Sequence, residues 1–207
     1  MAKEIEYQID DLPALNQYLR GLGIVSESKR EGENCVFVGA GDSFAAAKAA
    51  EYFSGPRARA LDPYDLCLNP KIVRGRHLFV VSVSGRTKAN VEAARAARGI
   101  AQKVTAVTSD ARSVLAENCD DLIQLRFRKT GELTPGTGSF TASLLACCSL
   151  VREVLAVPDV MQAIEQSVRW ADATTLPSQG TTFIVGTGPN YCMAIYGAAK
   201  ILSLIHI

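Results

Sequence analysis

His77-Leu78-Phe79-Val80-Val81-Ser82-Val83-Ser84-Gly85-Arg86-Thr87 passes from an unbroken apolar run into a loop of hydroxyls around one glycine. The apolar part reads as a buried strand, and KANVEAARAAR at 88–98 reads as a helix built from strong helix formers. A strand, a tight loop and a helix in that order make a seat for an anion. The glycine lets the backbone approach closely, the hydroxyls and free N–H groups donate hydrogen bonds, and the helix turns its positive end toward the loop. Donors without charge suit a phosphate on a small molecule that must also leave. Ser, Gly and Thr also make ordinary turns, so the six loop residues leave both readings open.

Outward from this stretch, short apolar runs alternate with alanine-rich helical segments, the pattern of a parallel sheet covered by helices. Strands are expected at 35–38, 58–61, 77–83, 104–108 and 122–125, with helices at 43–53, 88–98, 113–118 and 139–156. Pro158 closes the last of these. The fold class is therefore α/β, a five-stranded parallel sheet flanked by helices, in one domain over 30–157. Residues 1–29 read as a helical segment around Leu12, Leu15, Tyr18 and Leu19, and 158–180 as a linking helix and a loop. The helix at 139–156 is apolar on more than one face, so it should be covered on both sides and the protein is expected to be a homo-oligomer, a dimer.

The start of the sheet is echoed late in the chain. Val38-Gly39-Ala40-Gly41-Asp42-Ser43-Phe44 and Val185-Gly186-Thr187-Gly188-Pro189-Asn190-Tyr191 align without a gap. Each follows an apolar run read as a strand, and each precedes a helix of small residues. A second copy of the domain is thus expected to start near Thr181, over 181–207.

Composition narrows the function. A chain of 207 residues is long enough for one buried core and short for two domains. A net charge of +1 without a long basic run argues against nucleic acid as a partner. Six cysteines without a CxxC spacing, and only two histidines, argue against a metal cluster and for reduced core thiols. No leader-like apolar region opens the chain, and no apolar stretch reaches the roughly 18 residues of a membrane span. The expected compartment is the cytoplasm, with no membrane partner.

A dinucleotide site is the rival reading of Gly39-Ala40-Gly41, with Asp62 placed where a ribose-binding acid belongs. Phe44 stands against it, because it fills the position where a third glycine should admit the pyrophosphate. A triphosphate site lacks its GxxxxGK[ST] motif altogether.

Together, Gly39-Ala40-Gly41-Asp42-Ser43, Ser82 to Thr87 and the looser Pro135-Gly136-Thr137-Gly138-Ser139-Phe140-Thr141 resemble the SIS (sugar isomerase) domain family. The resemblance implies a flavodoxin-like three-layer sandwich and a phosphosugar ligand. Ser82, Ser84 and Thr87 would donate to the phosphate, Gly85 would give the backbone room, Gly41 and Ser43 would reach the ligand from the first loop, and Thr137 would close one side. Ser43 also suits a helix N-cap, and Arg86 and Lys88 suit plain surface charges. The implied activity is that of an aldose–ketose isomerase or an aminosugar-phosphate isomerase or deaminase, working without metal or organic cofactor. A regulatory module that senses a sugar phosphate is the alternative.

One departure bears on activity. Where the family carries its proton-moving glutamate on the helix after the second glycine loop, this chain reads Lys200-Ile201-Leu202-Ser203. Serine is a poor acid–base group near neutral pH, so the catalytic residues stay unassigned. The closing residues 202–207 resemble a translated adapter tail, the alternative being that Ser203–Ile207 is simply an apolar helix end. The expectation is a longer native protein, and a chain that binds better than it catalyses.

Overall fold

The apolar run at 77–81 forms the centre of the sheet. A computed structural model describes residues 2–23, 34–130, 136–152, 154, 156–174 and 181–205. Its strands are β1 (Cys35–Gly39), β2 (Ala58–Leu61), β3 (His77–Val81), β4 (Lys103–Thr108) and β5 (Asp121–Gln124). They lie in the order β2-β1-β3-β4-β5, every neighbouring pair parallel. Gly39 pairs with Val81 and Val81 with Val107, so the carboxyl ends of the three central strands finish level.

The helices are α1 (Ala2–Gly21), α2 (Asp42–Ser54), α3 (Pro63–Leu68), α4 (Lys88–Ala97), α5 (Val114–Glu117), α6 (Gly138–Val151), α7 (Val160–Ala173) and α8 (Pro189–Ile205). Successive strand residues face opposite sides, and here both sides are buried, as parallel sheets require. Phe37, Phe79, Val81, Val107 and Ile123 pack against α1, α2 and α6 through Leu15, Leu19, Ala46, Phe140 and Leu150. Val36, Val38, Leu78, Val80 and Val104 pack against α3, α4 and α5 through Leu66, Val91, Ala94 and Leu115. The result is three layers, with Phe37 and Phe79 stacked 5.0 Å apart at the centre of the first interface.

The five expected strands are all present, each within two residues of its expected ends. Two expectations fail in detail. The helix read over 139–156 stops at Val151, where Arg152 turns extended (φ −146°, ψ 139°) and its N–H closes the last turn on Cys148 O. The apolar run before Gly186 is no strand, since residues 181–187 are irregular, with Phe183 82% and Val185 86% exposed. A strand exists only through the neighbour that accepts its hydrogen bonds, and none does so among the described residues. A helix is present within 158–180 as α7, capped by Asp159, whose carboxylate accepts the Gln162 N–H at 2.9 Å. Residues 24–33 and 175–180, and the last two of the closing segment, lie outside the described residues.

α8 packs on α2, burying Cys192 and Ala194 and setting Ile195 and Tyr196 against the first core. Among the described residues no helix is long and apolar enough to cross a membrane, and no group of side chains is arranged to hold a metal ion.

Candidate functional site

Strand order places the site. β1 connects to β2 on one side and the chain then crosses to β3 on the other, so the loops leaving β1 and β3 diverge and open a crevice at the carboxyl edge of the sheet. The two loops singled out in the sequence, 39–43 and 82–87, are these loops. α2 and α4 start there and turn their positive ends toward it. α6 runs parallel to α2, since Arg57 beyond the end of α2 donates to Val151 O at the end of α6 (3.4 Å). Its N-terminus therefore reaches the same edge.

The loop at 82–87 is held from beneath. Ser82 is 2% exposed and its Oγ donates to Thr87 Oγ1 at 3.1 Å, which leaves the Thr87 proton free to point outward. Gly85 closes the turn, its N–H donating to Ser82 O at 3.0 Å, with φ at +62°. A side chain there would meet Ser113, its Cβ lying 2.1 Å from Ser113 Oγ. Ser84 and Thr87 are exposed. The first intrahelical bond of α4 is Val91 N–H to Thr87 O, so the amides of Thr87, Lys88 and Ala89 precede the helical ladder. Arg86 reaches Asp110 at 3.3 Å and Lys88 reaches Glu92 at 3.8 Å, both largely in solvent. The Arg112 N–H, which donates to the Asp110 carboxylate, and then the Arg86 guanidinium hold that carboxyl below its usual range.

Several supports of this loop escape a reading of sequence. Thr108 Oγ1, Ser109 Oγ and Ser109 N–H all donate to Val83 O, and Leu115 N–H donates to Gly85 O. Asn90, buried in the first turn of α4, donates through Nδ2 to Val81 O at 2.8 Å and ties the helix to the end of β3. The only hint in the sequence is that Thr108-Ser109-Asp110 also follows an apolar strand.

The first loop turns at Gly41 (φ +57°), which is itself the N-cap of α2 without a side-chain cap bond. Ser43 is thus inside the helix and no cap, and among the described residues its hydroxyl, 7% exposed, makes no hydrogen bond. The echo at 186–191 has the same backbone. Gly188 has φ +56°, Asn190 N–H donates to Thr187 O as Ser43 N–H donates to Ala40 O, and Tyr191 N–H donates to Gly188 O as Phe44 N–H does to Gly41 O. Gly39 and Gly186 each lie within 3 Å, at the position of a missing Cβ, of the backbone four residues on.

Thr137 stands at the start of α6 but faces α1. Its N–H and its Oγ1 both donate to Glu4 Oε2, at 3.3 Å each. Beside it Tyr196 of α8 stacks on Phe140, centroids 3.7 Å apart, and donates to Gly136 O. Burial, with Asp42 and Glu4 nearby, pushes the Tyr196 hydroxyl up to about 12. Lys200 pairs with Asp42 at 2.5 Å and closes α8 onto the first loop. Asp62, the acid of the rival dinucleotide reading, caps α3 by accepting the Tyr64 N–H at 2.9 Å.

No protein-family model matches the sequence, and no curated protein matches it. Solved structures do match in shape. The C-terminal domain of glucosamine-fructose-6-phosphate aminotransferase from Francisella tularensis superposes with a TM-score of 0.73 at 16% identity, over 100% of this chain and 67% of that one. The fold is SIS-like. Tagatose-6-phosphate ketose/aldose isomerase from Escherichia coli follows at 0.68 and 20% identity, over 97% of this chain, which spans 61% of that one. The Vibrio vulnificus NanR protein, solved in complex with ManNAc-6P, matches at 0.60 and 22% identity over 83% of this chain and 68% of that one.

Proposed function

We propose that the crevice between β1 and β3 binds a phosphosugar, as part of an aldose–ketose isomerase or an aminosugar-phosphate isomerase or deaminase. The observation that carries this is the loop at 82–87. It presents the exposed Ser84 and Thr87 beside the unbonded first amides of α4, at the switch point of the sheet. Ser84 and Thr87 donate to the phosphate, Ser82 orients Thr87, and Gly85 holds the turn. The unbonded Ser43 hydroxyl and the Gly41 turn bound the ligand on the β1 side, and Thr137, held by Glu4, lies at the α6 end. The segment at 181–205 begins a second copy of the domain, and the active assembly is a homo-oligomer.

Ser84→Ala removes one hydrogen bond to a charged group, worth about 1.5–3 kcal/mol, and should weaken affinity roughly ten- to hundredfold. Calorimetric titration with fructose 6-phosphate and glucosamine 6-phosphate reads this, and equal affinity in parent and variant would remove the loop from the site.

The likeness to NanR, solved with ManNAc-6P, supports the phosphosugar ligand, and a module that senses such a ligand without converting it is the second reading. A coupled assay for conversion of fructose 6-phosphate to glucose 6-phosphate separates the two. Binding without turnover favours the sensor or an enzyme whose base lies elsewhere. Turnover above background places the base within these residues.

A further inference from the structure

At the opposite edge of the sheet lies a cavity of about 310 Å³ that the phosphosugar reading does not use. Its walls are the first residues of β1 and β2, the turn at 55–57, Glu51, and three arginines, Arg57, Arg59 and Arg76. Among the described residues neither Arg59 nor Arg76 has a carboxylate partner. Arg57 is anchored through Nε to Ser54 O and through Nη2 to Val151 O, both at 3.4 Å.

Among the described residues two features oppose an anion here, and both are already answered. The Glu51 carboxylate is paired with Lys48. The negative end of α2 points this way, but Ser54 Oγ donates to Glu51 O at 2.9 Å and Arg57 covers Ser54 O. Three arginines line this concave space, Arg57 anchored on two carbonyls and Arg59 and Arg76 without a carboxylate partner among the described residues, so the space carries a positive field that favours an anion. The volume suits a small metabolite.

We propose that this cavity is a second ligand site, which takes a small phosphorylated dianion independently of the loops at 39–43 and 82–87. The two sites lie at opposite ends of β1, whose five residues span about 16 Å. β1 leads from the cavity to the glycine turn and α2 leads back, so both sites share one strand and one helix.

The test is a titration of the 207-residue chain with inorganic pyrophosphate, followed by amide NMR in 150 mM salt, with citrate as the carboxylate counterpart. Saturable shifts at the amides of residues 57–59 and 76–78 are expected, retained in Ser84→Ala and weakened about tenfold or more in Arg59→Gln and Arg76→Gln. The parent and variant spectra outside the cavity report that the fold is intact. Shifts confined to 39–43 and 82–90, or shifts that never saturate, overturn the proposal. Tighter binding of citrate than of pyrophosphate overturns its ligand class.

Discussion

Replacing Gly85 by alanine loads two separate costs onto the loop at 82–87. The first is conformational: φ is +62°, in the half of the map where an L side chain costs roughly 1–2 kcal/mol. The second is contact. The new Cβ would lie 2.1 Å from Ser113 Oγ, 2.3 Å from Ser113 Cβ and 2.9 Å from Thr108 Oγ1. Ser113 cannot simply withdraw, because its Oγ caps α5 by accepting the Ala116 N–H at 3.3 Å, and losing such a cap costs about 1 kcal/mol. Thr108 is held as well, donating to Val83 O and accepting from Asp110 N–H. The two costs together come to about 2–3 kcal/mol, enough to move a urea midpoint by roughly 1–1.5 M.

Gly41→Ala is the internal control. It has φ +57° and ψ −123°, and no atom beyond its chain neighbours lies within 4 Å of the added carbon, so it reads a backbone cost without the contact. Ser113→Gly in the Gly85→Ala background should return the contact cost, since glycine is tolerated at an N-cap for a few tenths of a kcal/mol. Urea unfolding of the four proteins decides it. No recovery from Ser113→Gly would refute the packing argument.

Further outcomes follow from single contacts. His77 stacks on Phe79 and bonds to Thr105 Oγ1 at 2.7 Å, and burial, then Lys103, lowers its pKa from 6.5 to about 4. Its neutral form is the native one, so its contribution is full above pH 6.5 and is lost as pH falls through about 4, by up to about 3 kcal/mol. His77→Gln should flatten that part of the stability–pH profile, and an unchanged difference between pH 7 and pH 4 would count against it. Leu15→Ala, at a site 1% exposed between α1 and the core, should cost about 2–5 kcal/mol in chemical denaturation. A cost under about 1 kcal/mol would mean that α1 is not part of the cooperative fold.

The sheet was legible because each strand announces itself by an unbroken apolar run, and residues buried on both faces need nothing else. Phe37 and Phe79 lie on one side and Val36 and Leu78 on the other, and all four read as apolar whichever way they point. The run at 182–185 shows the limit of that signal. It has the same composition, yet a strand is a relation between two segments and the local pattern is silent about the second. The candidate site was legible in its loops and not in their supports. Hydroxyls around a glycine mark a turn, but that Ser82 serves Thr87, that Ser43 lies past the cap, and that Thr137 answers Glu4 across 133 residues depends on how helices dock. Lys200 on Asp42 belongs to the same class, since no spacing rule links positions 158 residues apart.

The twin glycine turns differ in one respect with a kinetic meaning. The turn at Gly41 leaves a strand paired on both sides, while the turn at Gly188 leaves a segment paired on neither among the described residues, and the two have φ within 1° of each other and the same two backbone hydrogen bonds. Their geometry is therefore written within six residues and needs no sheet to impose it. Contacts of such short sequence separation close in well under a microsecond, far ahead of parallel strand pairing. The nascent chain would sample its glycine turn early, and the strands would assemble around a corner whose shape the local sequence already favours.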